Sequence, residues 1–146
     1  MSHAYAAAGL FTVTLTVTDN QGGTASSQVQ ISVTEPVAQA MHVASIDMST
    51  ETIFWGLYAR ASASVLILDG DNLPVPGAVV TVNWSGAVGG SASAVTGGNG
   101  RAVFSTDWVG SNNGNRLYNI AVSGVSLTDW VYDSPANLET TDSISR

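Results

Sequence analysis

The sequence predicts an all-β protein, and three observations carry that expectation. Apolar and polar residues alternate over short runs, clusters of Gly, Asn, Asp and Pro separate the runs, and no stretch sustains a helical period. Only "PVAQAMHVA" is ambiguous. At 146 residues, 45% of them hydrophobic, the chain suits one ordinary domain, or a small domain plus a piece of another, with enough apolar material for a core.

The opening run "FTVTLTVT" places Phe11, Val13, Leu15 and Val17 on one face and Thr12, Thr14, Thr16 and Thr18 on the other. It runs into the turn "DNQGG", after which Val29, Ile31 and Val33 alternate again, so residues 10–34 read as a β-hairpin. "EPVAQA", residues 35–40, contains a proline, loses the period and reads as a linker. A second series follows over 41–146. "MHVASIDM" is a strand, "TIFWGLYARASASVLILD" one long bent strand or two, and "DGDNLPVPG" a turn. "AVVTVNWSG" is a strand, "AVGGSASAVTGGNG" a glycine-rich hairpin region, "RAVFSTDW" a strand and "SNNGN" a turn. "RLYNIAVSGVSLTDWVYD" closes the series as two strands around Gly124. Short strands spaced by turns in this way predict an immunoglobulin-like β-sandwich preceded by a separate hairpin.

That hairpin raises a packing problem. Burying each of its four large apolar side chains is worth ~1.5–3 kcal/mol, yet two strands offer no second layer. The expectation is that it packs on the second module's sheet or pairs with the hairpin of another copy as a homodimer.

Two resemblances extend this reading. "HAYAAAGLFTVTLTVTDNQGG" resembles the late strands of a PKD domain, with His3, Tyr5, Gly9, Phe11, Val13, Leu15, Val17, Asp19 and Gly22 on the pattern. It covers about residues 2–34, and the family's earlier W-x-F-G-D-G segment does not occur. From Met41 to about Asp142 the chain is similar to an Ig-like module found after protease catalytic domains and PKD repeats in secreted bacterial proteins. "LDGDNLPVPGAVVTVNWSG", "GNGRAVFSTDW" and "VYDSPAN" carry that likeness. The resemblances imply an extracellular, non-catalytic accessory module of a secreted hydrolase such as a protease, spacing or anchoring it on an insoluble polymer. The alternative is an adhesin-type structural repeat for cell-surface contact.

Composition narrows the partners. With no lysine, four arginines and eleven carboxylates, the net charge is −7, and a nucleic-acid binder needs clustered cations to displace counterions. An anionic membrane surface is disfavoured for the same reason. No segment has the roughly 18 consecutive apolar residues that identify a membrane span. Cysteine is absent, which removes disulfides and thiolate chemistry.

Catalytic signals are equally thin. The two histidines, His3 and His42, each fit a strand pattern, and there is no G-x-S-x-G, H-E-x-x-H or P-loop. No cofactor is required by anything in the sequence. Asp69, Asp71 and Asn72 form an oxygen-rich turn of the type that suits calcium, although Asp and Asn also favour turns for local reasons. Asp129 and Asp133 form a second, sparser set. Of the tryptophans, Trp84 reads as core. Trp108 and Trp130, with Tyr132 on the Trp130 face, are the candidates for stacking on sugar rings or on a protein polymer.

Overall fold

The computed structural model describes residues 4–35, 38–110 and 116–146. His3, the residues 36–37 and the expected turn at 111–115 lie outside that set. The chain forms two compact units, Met1–Val37 and Ala38–Arg146.

The first unit is a two-stranded antiparallel sheet of β1 (Gly9–Thr18) and β2 (Thr24–Val33). Asp19 sets the turn, its Oδ1 accepting from Gln21 N at 2.9 Å and Gly23 N at 2.7 Å. This carboxylate bonding back to its own loop is why Asp belongs there. The resulting register places Phe11 opposite Ile31 and Val13 opposite Val29, with Thr12 and Thr14 opposite Gln30 and Gln28 on the other face. The apolar face stays exposed, Leu15 at 65% and Val17 at 60%.

The second unit is a β-sandwich. One sheet has the order β10 (Trp130–Tyr132), β3 (Gln39–Ile53), β4 (Tyr58–Asp69), β7 (Arg101–Ser105), with the short β8 (Val109–Gly110) also paired to β4. The other has the order β11 (Thr141–Ser145), β9 (Leu117–Ser126), β5 (Val79–Gly86), β6 (Gly90–Val95). Sequence neighbours β4 and β5 thus lie in different sheets, as the immunoglobulin-like arrangement requires. The inward residues of β4 are Ala59, Ala61, Ala63, Val65 and Ile67, and those of β5 are Val80, Val82 and Trp84. All are buried together with Met41, Val43, Phe104, Tyr118 and Ile120. Small alanines on β4 leave room for Tyr118, whose hydroxyl donates to Ala59 O at 3.4 Å.

Two buried threonines tie loops to this core. Thr96 Oγ1 donates to Val75 O at 2.7 Å and accepts from Ala78 N at 2.9 Å, while Thr106 Oγ1 accepts from Ala61 N at 3.0 Å. Gly100, with φ +71°, lies so close to Ile67 O and Pro74 that a Cβ would stand 2.7 Å from the carbonyl oxygen, which makes glycine the residue for that turn.

Two local expectations change and one is decided. β3 starts at Gln39, so the last two residues of the expected linker are strand. Of the two readings of the run from Thr52 to Asp69, the structure has two strands, the end of β3 and β4, joined by a tight turn at 54–57. Gly124 does not divide two strands: β9 passes through it, because the ladder with β5 slips between Thr81 and Val82 and leaves Ser123 as the extra residue of a bulge. The chain instead leaves this sheet after Ser126. Asp129 takes φ +63°, and β10 joins the other sheet parallel to β3. The segment that follows continues along β3 with its side chains: Asn137 Oδ1 accepts from Val43 N at 2.8 Å and Glu139 Oε2 from Ile46 N at 2.6 Å. A 3₁₀ turn at Ser134–Ala136 is the only helical element among the described residues.

Candidate functional site

Of the three expected calcium ligands, Asp69 and Asn72 shape the turn itself. Asp69 Oδ1 accepts from Asp71 N at 2.9 Å and Leu73 N at 2.8 Å, and Asn72 supplies the left-handed residue of the turn at φ +62°. This is the same carboxylate-closed loop as at Asp19, and it accounts for Asp69 and Asn72 by backbone satisfaction alone. Among the described residues no group of three or more His, Cys, Asp or Glu side chains is placed to hold a metal ion. His42 is half-buried on β3, opposite Leu68.

The aromatic candidates divide. Trp130 and Tyr132 both pack against the hydrophobic core, and the Tyr132 hydroxyl accepts from Asn137 Nδ2 at 2.7 Å. That geometry turns both rings toward the core and away from an outer binding face, because the β10 face they share is the one turned to the sandwich interior. Trp84 is buried. Trp108 is 37% exposed, with the Arg60 guanidinium 4.7 Å above its ring.

The most exposed ring belongs to Trp55, at 102% of its reference area. It sits in the β3–β4 turn, where Gly56 N donates to Ile53 O and Leu57 N to Phe54 O, each at 3.1 Å. Both central residues have positive φ, Phe54 at 50° and Trp55 at 51°. Tight hairpins of this hand require left-handed residues and ordinarily fill them with Asn and Gly, since a bulky side chain there costs roughly 1–2 kcal/mol. Here two aromatic residues occupy them, and strain of this kind concentrates where a site is built. Phe54, Leu57 and Tyr58 are exposed beside Trp55, and the Phe54 and Tyr58 rings meet edge to face with centroids 6.2 Å apart.

The flank of this tip carries arginines and acids together. Arg146 Nη1 donates to Gly56 O at 3.1 Å. Arg146 and Arg116 exchange backbone hydrogen bonds of 3.0 Å, so their side chains leave the sheet on the same side. Arg60, two residues beyond Tyr58, pairs with Glu51 at 2.7 Å. Three of the four arginines therefore border the tip, whereas Asp69 and Asp71 lie at the far end of β4, whose 12 residues span on the order of 35 Å at the usual strand rise.

The sequence leaves Phe54, Trp55 and Leu57 inside a run that reads as one bent strand or two, with no turn marked at them. The signal that could have found them is the failure of alternation at Ile53-Phe54-Trp55, three consecutive apolar residues followed at once by Gly56. Compared with protein-family models, with curated proteins and with solved structures, the chain matches none. No helix is long and apolar enough to cross a membrane among the described residues.

Proposed function

We propose that this chain is a non-catalytic accessory module of a secreted bacterial hydrolase, anchoring the catalytic domain on an insoluble polymer, with the β3–β4 tip as the contact. The observation that supports this is Trp55, fully exposed on a strained turn that a polar Asn-Gly pair would form at lower cost. The link to a hydrolase, and the extracellular location, come from the resemblances of the two units described above. A spacer or adhesin-type repeat has no need of an aromatic turn. Trp108, 37% exposed with Arg60 over its ring, remains a contact residue in this reading.

Sedimentation with chitin, cellulose, collagen and a cross-linked polyuronate gel tests the reading. At least one polymer retains the protein, and Trp55→Ala releases it. Wild-type protein that stays in solution with all four establishes the spacer instead. For the exposed face of the β1–β2 sheet, the partner we propose is a second copy of this chain. The support is that neither strand carries a charged residue, and charge is the usual device against edge-to-edge pairing.

A further inference from the structure

We infer a second polymer subsite on the second unit: a shallow depression on the outer face of the β11–β9–β5–β6 sheet, lined by Ser85, Asn119, Thr141 and Ser143, that takes the hydroxyls of an uncharged polysaccharide. It rests on the polymer contact proposed above but does not use Trp55.

The two outer faces of the sandwich are built differently. On the face of β3, β4 and β7, two ion pairs cross the strands, Arg60 with Glu51 at 2.7 Å and Arg101 with Asp47 at 2.6 Å. On the opposite sheet the outward positions of β5, β6, β9 and β11 hold no ionisable residue. Several hydroxyls there bond within the sheet: Thr81 Oγ1 with Ser93 Oγ at 2.9 Å, and Ser91 Oγ and Ser123 Oγ donating to Val82 O and Thr81 O, each at 3.2 Å. A depression of about 400 Å³ is lined otherwise. The register sets Ser143, Asn119 and Ser85 side by side across β11, β9 and β5, a row about 10 Å long at the usual strand spacing, and the small side chain of Ala121 leaves space beside it. The side chains of Ser85, Asn119, Thr141 and Ser143 have no hydrogen-bond partner among the described residues, and Asn119 is half-buried.

These groups select the ligand. Hydroxyls and amides both donate and accept, as sugar hydroxyls do, whereas an apolar partner would leave the Asn119 amide covered and unpaired. An anion finds no cation in the depression and meets Asp142 at its edge, whose Oδ1 accepts from Ser143 N at 2.7 Å. A protein partner fits less well, because protein contacts concentrate Tyr, Trp, Phe, Met and Arg and are poor in Ser and Ala. The location also fits. Asn119 stands three residues along the chain from Arg116, about 10 Å at the usual strand rise. Arg116 pairs through its backbone with Arg146, which donates to Gly56 O in the β3–β4 turn. The depression and the tip therefore lie at one end of the sandwich, and a single polymer that reaches both is held more tightly than by either alone.

Affinity electrophoresis through gels containing hydroxyethylcellulose, galactomannan, gelatin or polygalacturonate provides the test. At least one of the two neutral polysaccharides retards the wild type, and half-molar sodium chloride changes that retardation by less than about twofold. Asn119→Ala/Ser143→Ala reduces it about fivefold. Ala121→Leu, which keeps Asn119 and fills the depression, does the same, with each variant's circular dichroism and melting checked against wild type. Because the gel panel and the salt titration use the unaltered chain, they decide the ligand class even if a variant unfolds. Wild-type retardation in both folded variants, lost only with Trp55→Ala, overturns the depression while leaving the tip as the polymer contact. Retardation that survives Trp55→Ala but not the depression variants supports this subsite and removes the tip. Retardation confined to gelatin or to polygalacturonate overturns the uncharged polysaccharide. No retardation in any gel, with no retention on the solid polymers, removes the underlying reading as well.

Discussion

Strands β1 and β4 follow the same two-residue rule and meet opposite ends. In β4 the inward positions are mostly alanine, yet Ala59, Ala61, Val65 and Ile67 are wholly buried. In β1 they are Phe11, Val13, Leu15 and Val17, far more apolar, and three of the four are exposed. Alternation therefore specifies that a strand has an apolar face; whether the face is covered depends on a second layer. β4 has one in the β5–β9 sheet, while the first unit has a single sheet of two strands, which is too little to hold itself together in water.

The sharpest way to break the contrast is to remove what the alanines of β4 make room for. Tyr118→Ala empties the space between the sheets and strands the contact with Ala59 O. Large-to-small changes of this size cost ~3–5 kcal/mol, so the second unit's urea midpoint falls steeply or folding is lost. Thr96→Val ranks next. The side chain keeps its volume, but Ala78 N and Val75 O lose their buried partner; leaving such groups unpaired costs ~1–3 kcal/mol. A midpoint unmoved by either substitution contradicts the core described above.

The turn is expected to move stability the other way. Phe54→Asn/Trp55→Gly supplies residues that accept positive φ, relieving roughly 1–2 kcal/mol, so thermal melting of the second unit shifts upward. If polymer retention disappears in the same variant, stability and binding are separated in one molecule. Melting that falls instead shows that the aromatic pair stabilises the turn by its own packing.

How far the sequence could be read follows from the same physics. The all-β class was legible because a period of two is a local property, visible in β1, β4 and β5 without knowledge of any partner. The turn at Asp69 was legible as a turn, and the structure adds what composition does not specify, that Oδ1 closes it by accepting from two backbone amides. Trp130 and Tyr132 share a face as the alternation requires, but which face is inward depends on β10 crossing to pair with β3, a long-range event. The Trp55 tip was hidden for the opposite reason: apolar residues through a turn resemble a continuing strand.

The smallest expected effect sharpens the comparison most. Leu15→Thr/Val17→Thr removes exposed apolar area from β1 and keeps its β-propensity. Because the second unit has its own core, its thermal transition stays within about 0.5 kcal/mol of wild type, as for substitutions outside a packed interior. Native mass spectrometry across a concentration series should nevertheless change, from a growing dimer fraction in the wild type to monomer in the variant. A wild type that is monomeric at every concentration removes the second copy as partner. A variant whose second transition drops with the hairpin substitutions means that the β1 face is covered within the chain, and the contrast between the two strands would then lie in how many layers cover each one.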